Sequence, residues 1–435
     1  MKEKTMKTFS LIIMIVVLCN IALIQGAIGQ ERGNTGGRDR GFGNMGNSTG
    51  TIKVTIEQPE NGSITVSPKI PDDGIVEAGT VITIKAIPAE GYALDSCYYY
   101  NAAGGIFGRM NIESMEPDFQ ITIDQSKTVG ASFIEKEALK GFNVTQNIVY
   151  AKPGVKTLKY DVFSPDGAKN LPCIVIIHGG GWSANTEDIM RGLARELVRS
   201  GEYVVTSIDY RWIGTGDGDA VPNTMANLIE DVYGAILHIQ EHAKEYGADP
   251  MRIAVTGDSA GGHLSAAAIT MIEMIGDGGF GVKEGVYQYK PTYMPEGKSI
   301  EQLRSGLLNA IKVAAPSYGV FDGHTITNFL GDVTEAEIKA ISPIDCIPNI
   351  EKRAVPQFLL RGTNDMLIGN EAVQSYADAL KAAGQTVEYV QVEGAGHAFF
   401  DWKPDARTKA TFKQYGVPYA AKMKEFFDAV FYPDK

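Results

Sequence analysis

The stretch Arg252-Ile253-Ala254-Val255-Thr256-Gly257-Asp258-Ser259-Ala260-Gly261-Gly262 decides the fold. Its first five residues form a β run, and the Ala-rich run from Leu264 to Ile269 leaves it as a helix. Strand, glycine-flanked turn and helix, with serine on the turn, is the local geometry of a nucleophile elbow. A Cβ at either flanking glycine would crowd the strand or the helix, because the turn is strained. The turn lifts the Ser259 hydroxyl off the sheet, and the helix N-terminus aims N–H groups at the same space. The pattern Gly-x-Ser-x-Gly alone recurs in many loops; the flanking elements and two further loops give it weight.

Outward from this stretch, short apolar runs at 173–177, 203–208, 311–314, 357–361 and 387–392 alternate with helix-length segments near 188–200, 225–246, 262–274, 371–383 and 415–430. Such alternation predicts an α/β fold with a mostly parallel sheet covered by helices. Leu228, Val232, Ile236 and Ile239 share one helical face and read as core packing, while His238 and His242 are expected in solvent. Residues 141–170 suit an antiparallel hairpin leading into this unit.

The N-terminal part differs. Lys2, Lys4 and Lys7, the apolar run 11–18 and the small residues Ala27 and Gly29 make residues 1–29 a signal peptide. The apolar run is short for a membrane span, so no anchor is expected after cleavage, and the reading is a secreted or periplasmic bacterial protein. Residues 30–50, rich in Gly and Asn, read as a flexible linker. From 51 to 136, period-two alternation such as Ile52, Val54 and Ile56 predicts a small all-β module. Tyr98-Tyr99-Tyr100 either bind glycan or fill the module's core.

The formal net charge of −12, about −14 without residues 1–29, argues against nucleic-acid and anionic-membrane partners. Cys97, Cys173 and Cys346 are too few and too far apart for a disulfide framework. No zinc spacing occurs among six histidines, so neither metal nor other cofactor is expected. Gly216-Asp217-Gly218-Asp219 lacks the remaining ligands of a calcium loop and reads as a solvated turn.

Two further loops follow strands. His178-Gly179-Gly180-Gly181-Trp182 offers inward N–H groups, and an oxyanion hole from Gly180, Gly181 and Ala260 is expected, with Trp182 able to supply an alternative donor. Trp182 is also placed at the substrate, and His178 ties the loop down. Asp365, just past a strand end, can orient a histidine, and His397 sits among the small residues Gly394, Ala395, Gly396 and Ala398. Ser259, Asp365 and His397 thus form the expected catalytic triad, with an ester as substrate. Losing one oxyanion donor costs ~10²–10³ in rate, so the loop matters nearly as much as the triad.

His178-Gly-Gly-Gly-Trp182, Asp209-Tyr210-Arg211, Asp249-Pro250-Met251-Arg252-Ile253 and Gly257-Asp-Ser-Ala-Gly-Gly-His263 resemble the α/β-hydrolase esterases. Within them, the branch nearest is that of hormone-sensitive-lipase-like carboxylesterases and bacterial feruloyl and acetyl esterases. The resemblance runs from 141 to 435 and implies removal of acetyl or feruloyl groups, with plant cell-wall polysaccharide as the expected partner. A departure is the Gly- and Tyr-rich segment near 276–306, expected to form a cap over the site. Gly79-Thr80-Val81, Gly91-Tyr92 and Lys127-Thr128-Val129 resemble internalin-type bacterial repeats, with Cys97 where those carry a tryptophan. A serine peptidase on the same fold, and a surface glycan-binding or adhesion protein with an accessory hydrolase, remain alternatives. The roles predict activity that rises as His397 loses its proton; a flat rate profile between about pH 5 and 8 would contradict them.

Overall fold

A computed structural model describes residues 50–101, 111–283, 285–330 and 333–434. The expected leader and the Gly/Asn-rich segment up to residue 49 lie outside the described residues. Alternation from residue 51 onward builds eight strands, β1 (Thr51–Ile56), β2 (Gly62–Ser67), β3 (Ile75–Glu77), β4 (Thr80–Pro88), β5 (Tyr92–Asn101), β6 (Asn111–Ser114), β7 (Asp118–Ile123) and β8 (Lys127–Glu135). They form sheets of order β3-β1-β8-β5-β6 and β2-β4-β7, with β1 parallel to β8. Val54, Ile82, Ile84, Cys97, Ile121 and Val129 fill the space between them.

One irregularity turns this sandwich toward the rest of the chain. In β5 the pairing with β8 shifts between Leu94 and Ser96, so Asp95 is an extra residue. A bulge re-aims a side chain that alternation would place elsewhere. Asp95 is fully buried, and Arg191 reaches it through Nε at 3.1 Å and Nη2 at 3.2 Å. Arg195 Nη1 donates to it at 2.6 Å and Trp402 Nε1 at 2.9 Å. Glu113 of β6 adds a second carboxylate, 2.6 Å from Arg191 Nη2. Burial raises the Asp95 carboxyl, but Arg191 and Arg195 outweigh it and hold the group far below the usual carboxylate range. The module is therefore not a bead on a flexible string but is locked onto the larger unit by buried, multiply bonded charges.

The larger unit continues with β9 (Phe142–Ala151), β10 (Leu158–Pro165), β11 (Leu171–Ile177), β12 (Val204–Ile208), β13 (Ala248–Asp258), the short pair β14 (Gly279–Lys283) and β15 (Val286–Gln288), β16 (Ile311–Ser317), β17 (Gln357–Gly362) and β18 (Val387–Val392). The sheet order is β18-β17-β16-β13-β11-β12-β10-β9. The first six are mutually parallel, and β9 and β10 form the antiparallel leading hairpin. β11, β12 and β17 are buried along nearly their whole length, as strands with helices on both faces must be. Helices α1 (Arg191–Val198) and, near the C-terminus, Val417–Phe431 cover one face through Leu193, Leu197, Met423 and Phe427. Helices α2 (Met225–His242), α3 (Ala260–Thr270) and Asn370–Ala382 cover the other.

The segment near 276–306, expected as a cap, clasps α2: Lys290 N donates to Glu230 at 3.0 Å, Thr292 bonds Asp231 and Tyr293 bonds Glu241. His238 is half-buried rather than solvated, its Nδ1 2.9 Å from Tyr160 Oη, and burial followed by the neighbouring His242 pulls its pKa down to about 4. The Asp217–Asp219 turn is also packed: Asp217 accepts from Trp212 N at 2.5 Å and Asp219 from Val155 N at 2.7 Å.

Asp95→Ala would leave Arg191 and Arg195 buried without their shared counter-charge, at a cost of about 3–5 kcal/mol. Denaturant unfolding of the full chain measures it; a loss under about 1 kcal/mol would mean that the buried charges do not hold the module in place.

Candidate active site

The elbow works only because its neighbours are glycines. A Cβ on Gly261 would lie 1.9 Å from the Ile177 carbonyl oxygen, and one on Gly257 would lie 2.4 Å from the Gly261 carbonyl oxygen. Ser259 itself sits at φ 54°, ψ −115°, a conformation that costs a non-glycine residue about 1–3 kcal/mol. Part of what holds it there is visible: Ser259 N donates to Ser317 O at 2.9 Å, and His263 N closes the first helical turn on Ser259 O at 3.1 Å.

Three side chains far apart in the chain converge above this turn. His397 Nε2 lies 2.9 Å from Ser259 Oγ, and His397 Nδ1 lies 2.8 Å from Asp365 Oδ2. The other Asp365 oxygen accepts from Leu367 N and Ile368 N, both at 2.9 Å. Burial raises the Asp365 carboxyl, yet the bonds and charge from His397 and these two N–H groups outweigh it, so its pKa falls below the ordinary value. An ionised Asp365 favours the tautomer with the proton on Nδ1, leaving Nε2 to accept from serine. Each partner stands at or just beyond the C-terminal end of β13, β17 or β18, the edge where parallel sheets place their sites.

In the loop after β11, Gly180 and Gly181 have φ of 121° and 59°, conformations that favour glycine. A Cβ on Gly180 would also lie 2.3 Å from Ala184 O. The N–H groups of Gly180, Gly181 and Ala260 make no hydrogen bond to the described residues, so they are available as donors. The loop is held from below: Gly179 N donates to Asp258 Oδ1 at 2.7 Å, and Tyr210 Oη donates to His178 O at 2.8 Å. His178 is fully buried, stacked on Tyr210 with Nε2 3.3 Å from Asp209, and so belongs to the scaffold. Trp182, expected at the substrate, turns instead into the core. It is 4% exposed, and its Nε1 donates to His263 at 3.3 Å.

Two residues at this site had no role in the sequence reading. Asp258 lay inside the elbow motif, but a residue adjacent to the nucleophile gave no sign that its carboxylate crosses to the oxyanion loop. Tyr318 follows β16 and packs edge-on against His397, ring centroids 4.9 Å apart. Its hydroxyl accepts from Phe400 N at 3.2 Å. Its place just past a strand end beside the elbow strand was the available signal. Among the described residues, no group of three or more His, Cys, Asp or Glu side chains could hold a metal, and no helix is long and apolar enough to cross a membrane.

A parallel sheet of this order, with a serine elbow after one strand and its partners after two later ones, defines an α/β-hydrolase. Residues 160–380, about half of the chain, match the BD-FAE family, and the chain belongs to that family. Residues 52–137 match the divergent InlB B-repeat domain. Esterase LipQ of Mycobacterium tuberculosis is 28% identical over 275 residues, 59% of this chain and 57% of that protein. Carboxylic ester hydrolase LipN of the same species is 41% identical over 105 residues, 24% of this chain and 26% of that protein. The chain thus spans about a quarter to about half of the length of these curated relatives. Among solved structures, native esterase 2 of Thermogutta terrifontis aligns with a TM-score of 0.49 at 23% identity, over 68% of this chain and 96% of that one.

Burial, then the negative charge of Asp401, pushes the Asp258 carboxyl up to about 7, against the pull of Gly179 N–H. Between its ordinary value of 3.8 and about 7, the native chain keeps a proton that the unfolded chain has released. This group's contribution to stability therefore falls as pH rises across that window. Asp258→Asn keeps an acceptor for Gly179 and removes the ionisation. Its melting temperature should gain on the parent's as pH is raised from about 4 to about 7; a difference that stays constant or shrinks contradicts the assignment.

Proposed function

We propose that this chain is a serine carboxylic ester hydrolase, exported from a bacterial cell, that removes acetyl or feruloyl groups from plant polysaccharide. The observation that carries the reaction type is the relay of 2.9 Å and 2.8 Å contacts linking Ser259, His397 and Asp365. His397 takes the Ser259 proton as Oγ attacks the ester carbonyl, and Asp365 offsets the charge that forms on the imidazole. The carbonyl oxygen collects negative charge against the N–H groups of Gly180, Gly181 and Ala260, which need no reorganisation to receive it. The proton on Nε2 then passes to the departing alcohol oxygen. Water repeats the sequence on the acyl-serine and releases the acid. The esterase names of the relatives support the reaction class, and the leader-like N-terminus and repeat module support action outside the cell on a polymer.

Release of p-nitrophenol from p-nitrophenyl acetate should fall by at least ~10⁴-fold in Ser259→Ala, with the melting temperature retained. Turnover surviving this substitution would sink the proposal. A panel of acetylated xylan, methyl ferulate and p-nitrophenyl esters of increasing chain length ranks the acyl groups; no turnover of either acetylated xylan or methyl ferulate would remove the polysaccharide part of the reading.

A further inference from the structure

We infer that the N-terminal module is a working part of the active site, forming one wall of the subsite for the alcohol half of the ester, and that this alcohol is a carbohydrate chain. The inference rests on the esterase reading above. Bulge and alternation in β5 send Tyr99 into the sandwich, against Phe119, and Tyr98 and Tyr100 to the opposite face. There both hydroxyls donate to one carboxylate, Tyr98 to Glu57 Oε2 at 2.8 Å and Tyr100 to Glu57 Oε1 at 2.5 Å. Gly130 on β8 makes room for this, since a Cβ there would lie 2.5 Å from the Tyr98 hydroxyl.

These three residues border an open cleft of about 690 Å³ whose other wall is the segment running from His397 through Lys403, Arg407 and Thr408. Cavities of ~300–1,000 Å³ accommodate drug-sized ligands. Of the triad, only His397 borders the cleft. Chemistry then assigns the contents: the acyl group stays on Ser259, whereas the leaving oxygen must lie where His397 Nε2 can protonate it. A cleft that meets the triad at His397 is an alcohol subsite. Its walls carry both carboxylates and cations beside tyrosine rings, so an apolar alcohol would strip water from several charges without replacing it, at a large cost. Sugar hydroxyls replace that water as donors and acceptors. The two walls are fixed relative to each other, because Trp402, between Asp401 and Lys403 of one wall, donates to Asp95 of the other unit.

The test compares kcat/KM for acetylated xylo-oligosaccharide and for p-nitrophenyl acetate in the full-length parent, Tyr100→Phe and Arg407→Ala. Arg407 is exposed, so its variant carries the test if Tyr100→Phe fails to fold. The expected result is a fall of about tenfold in the ratio of the two values, the scale of one lost hydrogen bond, expressed mainly in KM for the oligosaccharide. A ratio equal to the parent's, whether both esters slow together or neither does, overturns the inference. So does a parent that hydrolyses p-nitrophenyl acetate but not the oligosaccharide ester, a result that leaves the esterase reading standing.

Discussion

Among the described glycines, the one with least room for a Cβ sits where the start of one helix meets the end of a neighbouring strand. Gly261 lies so close to the carbonyl of Ile177 that the position has no room for a methyl group. Forcing α3 against β11 sets the elbow beside the start of the loop at His178, and it holds Ser259 in a conformation that an unconstrained serine would leave. Asp258 spans the same junction from the strand side by accepting from Gly179. Nucleophile and expected oxyanion donors are therefore set by one backbone contact, and the histidine and aspartate need only reach it from two further strand ends.

Much of this was legible in the sequence because it is local. Glycines at 179–181, 257 and 261–262 and apolar strands that end just before Ser259 and Asp365 encode turn, strand and loop within a few residues of each other. The order Ser259, Asp365, His397 then follows from the order of strand ends. What escaped reading depends on contacts between distant segments. The partnership of Asp95 with Arg191, Arg195 and Trp402 has no local signature, since any one of these residues reads as a solvated or core side chain. Trp182 next to a glycine loop looks like a substrate contact until His263, one turn into α3, is seen to receive its indole N–H. The insertion near 276–306 has the composition of a lid, and its hold on α2 through Glu230, Asp231 and Glu241 joins segments too far apart in the chain to be read locally. His238 likewise leaves solvent because Tyr160 and Tyr293 reach it from other elements.

The buried charges around Asp95 also alter how the two units relate. A carboxylate bonded at once by two guanidinium groups and an indole is costly to expose or to leave half-satisfied. Separating the module would strand Arg191 and Arg195 on one side and Asp95 and Glu113 on the other. The contact is thus selective as well as strong, since it tolerates only a partner that brings the matching charges in the same geometry.

A single extra residue in β5 lies behind this arrangement. Without the bulge at Asp95, strict alternation would carry Asp95 and Ser96 to opposite faces, and the register of Tyr98 and Tyr100 would be tied to a different neighbour. The module therefore cannot be exchanged for a repeat of similar shape taken from another protein. A transplanted repeat would need the same one-residue irregularity at the same place to offer Arg191, Arg195 and Trp402 their shared carboxylate.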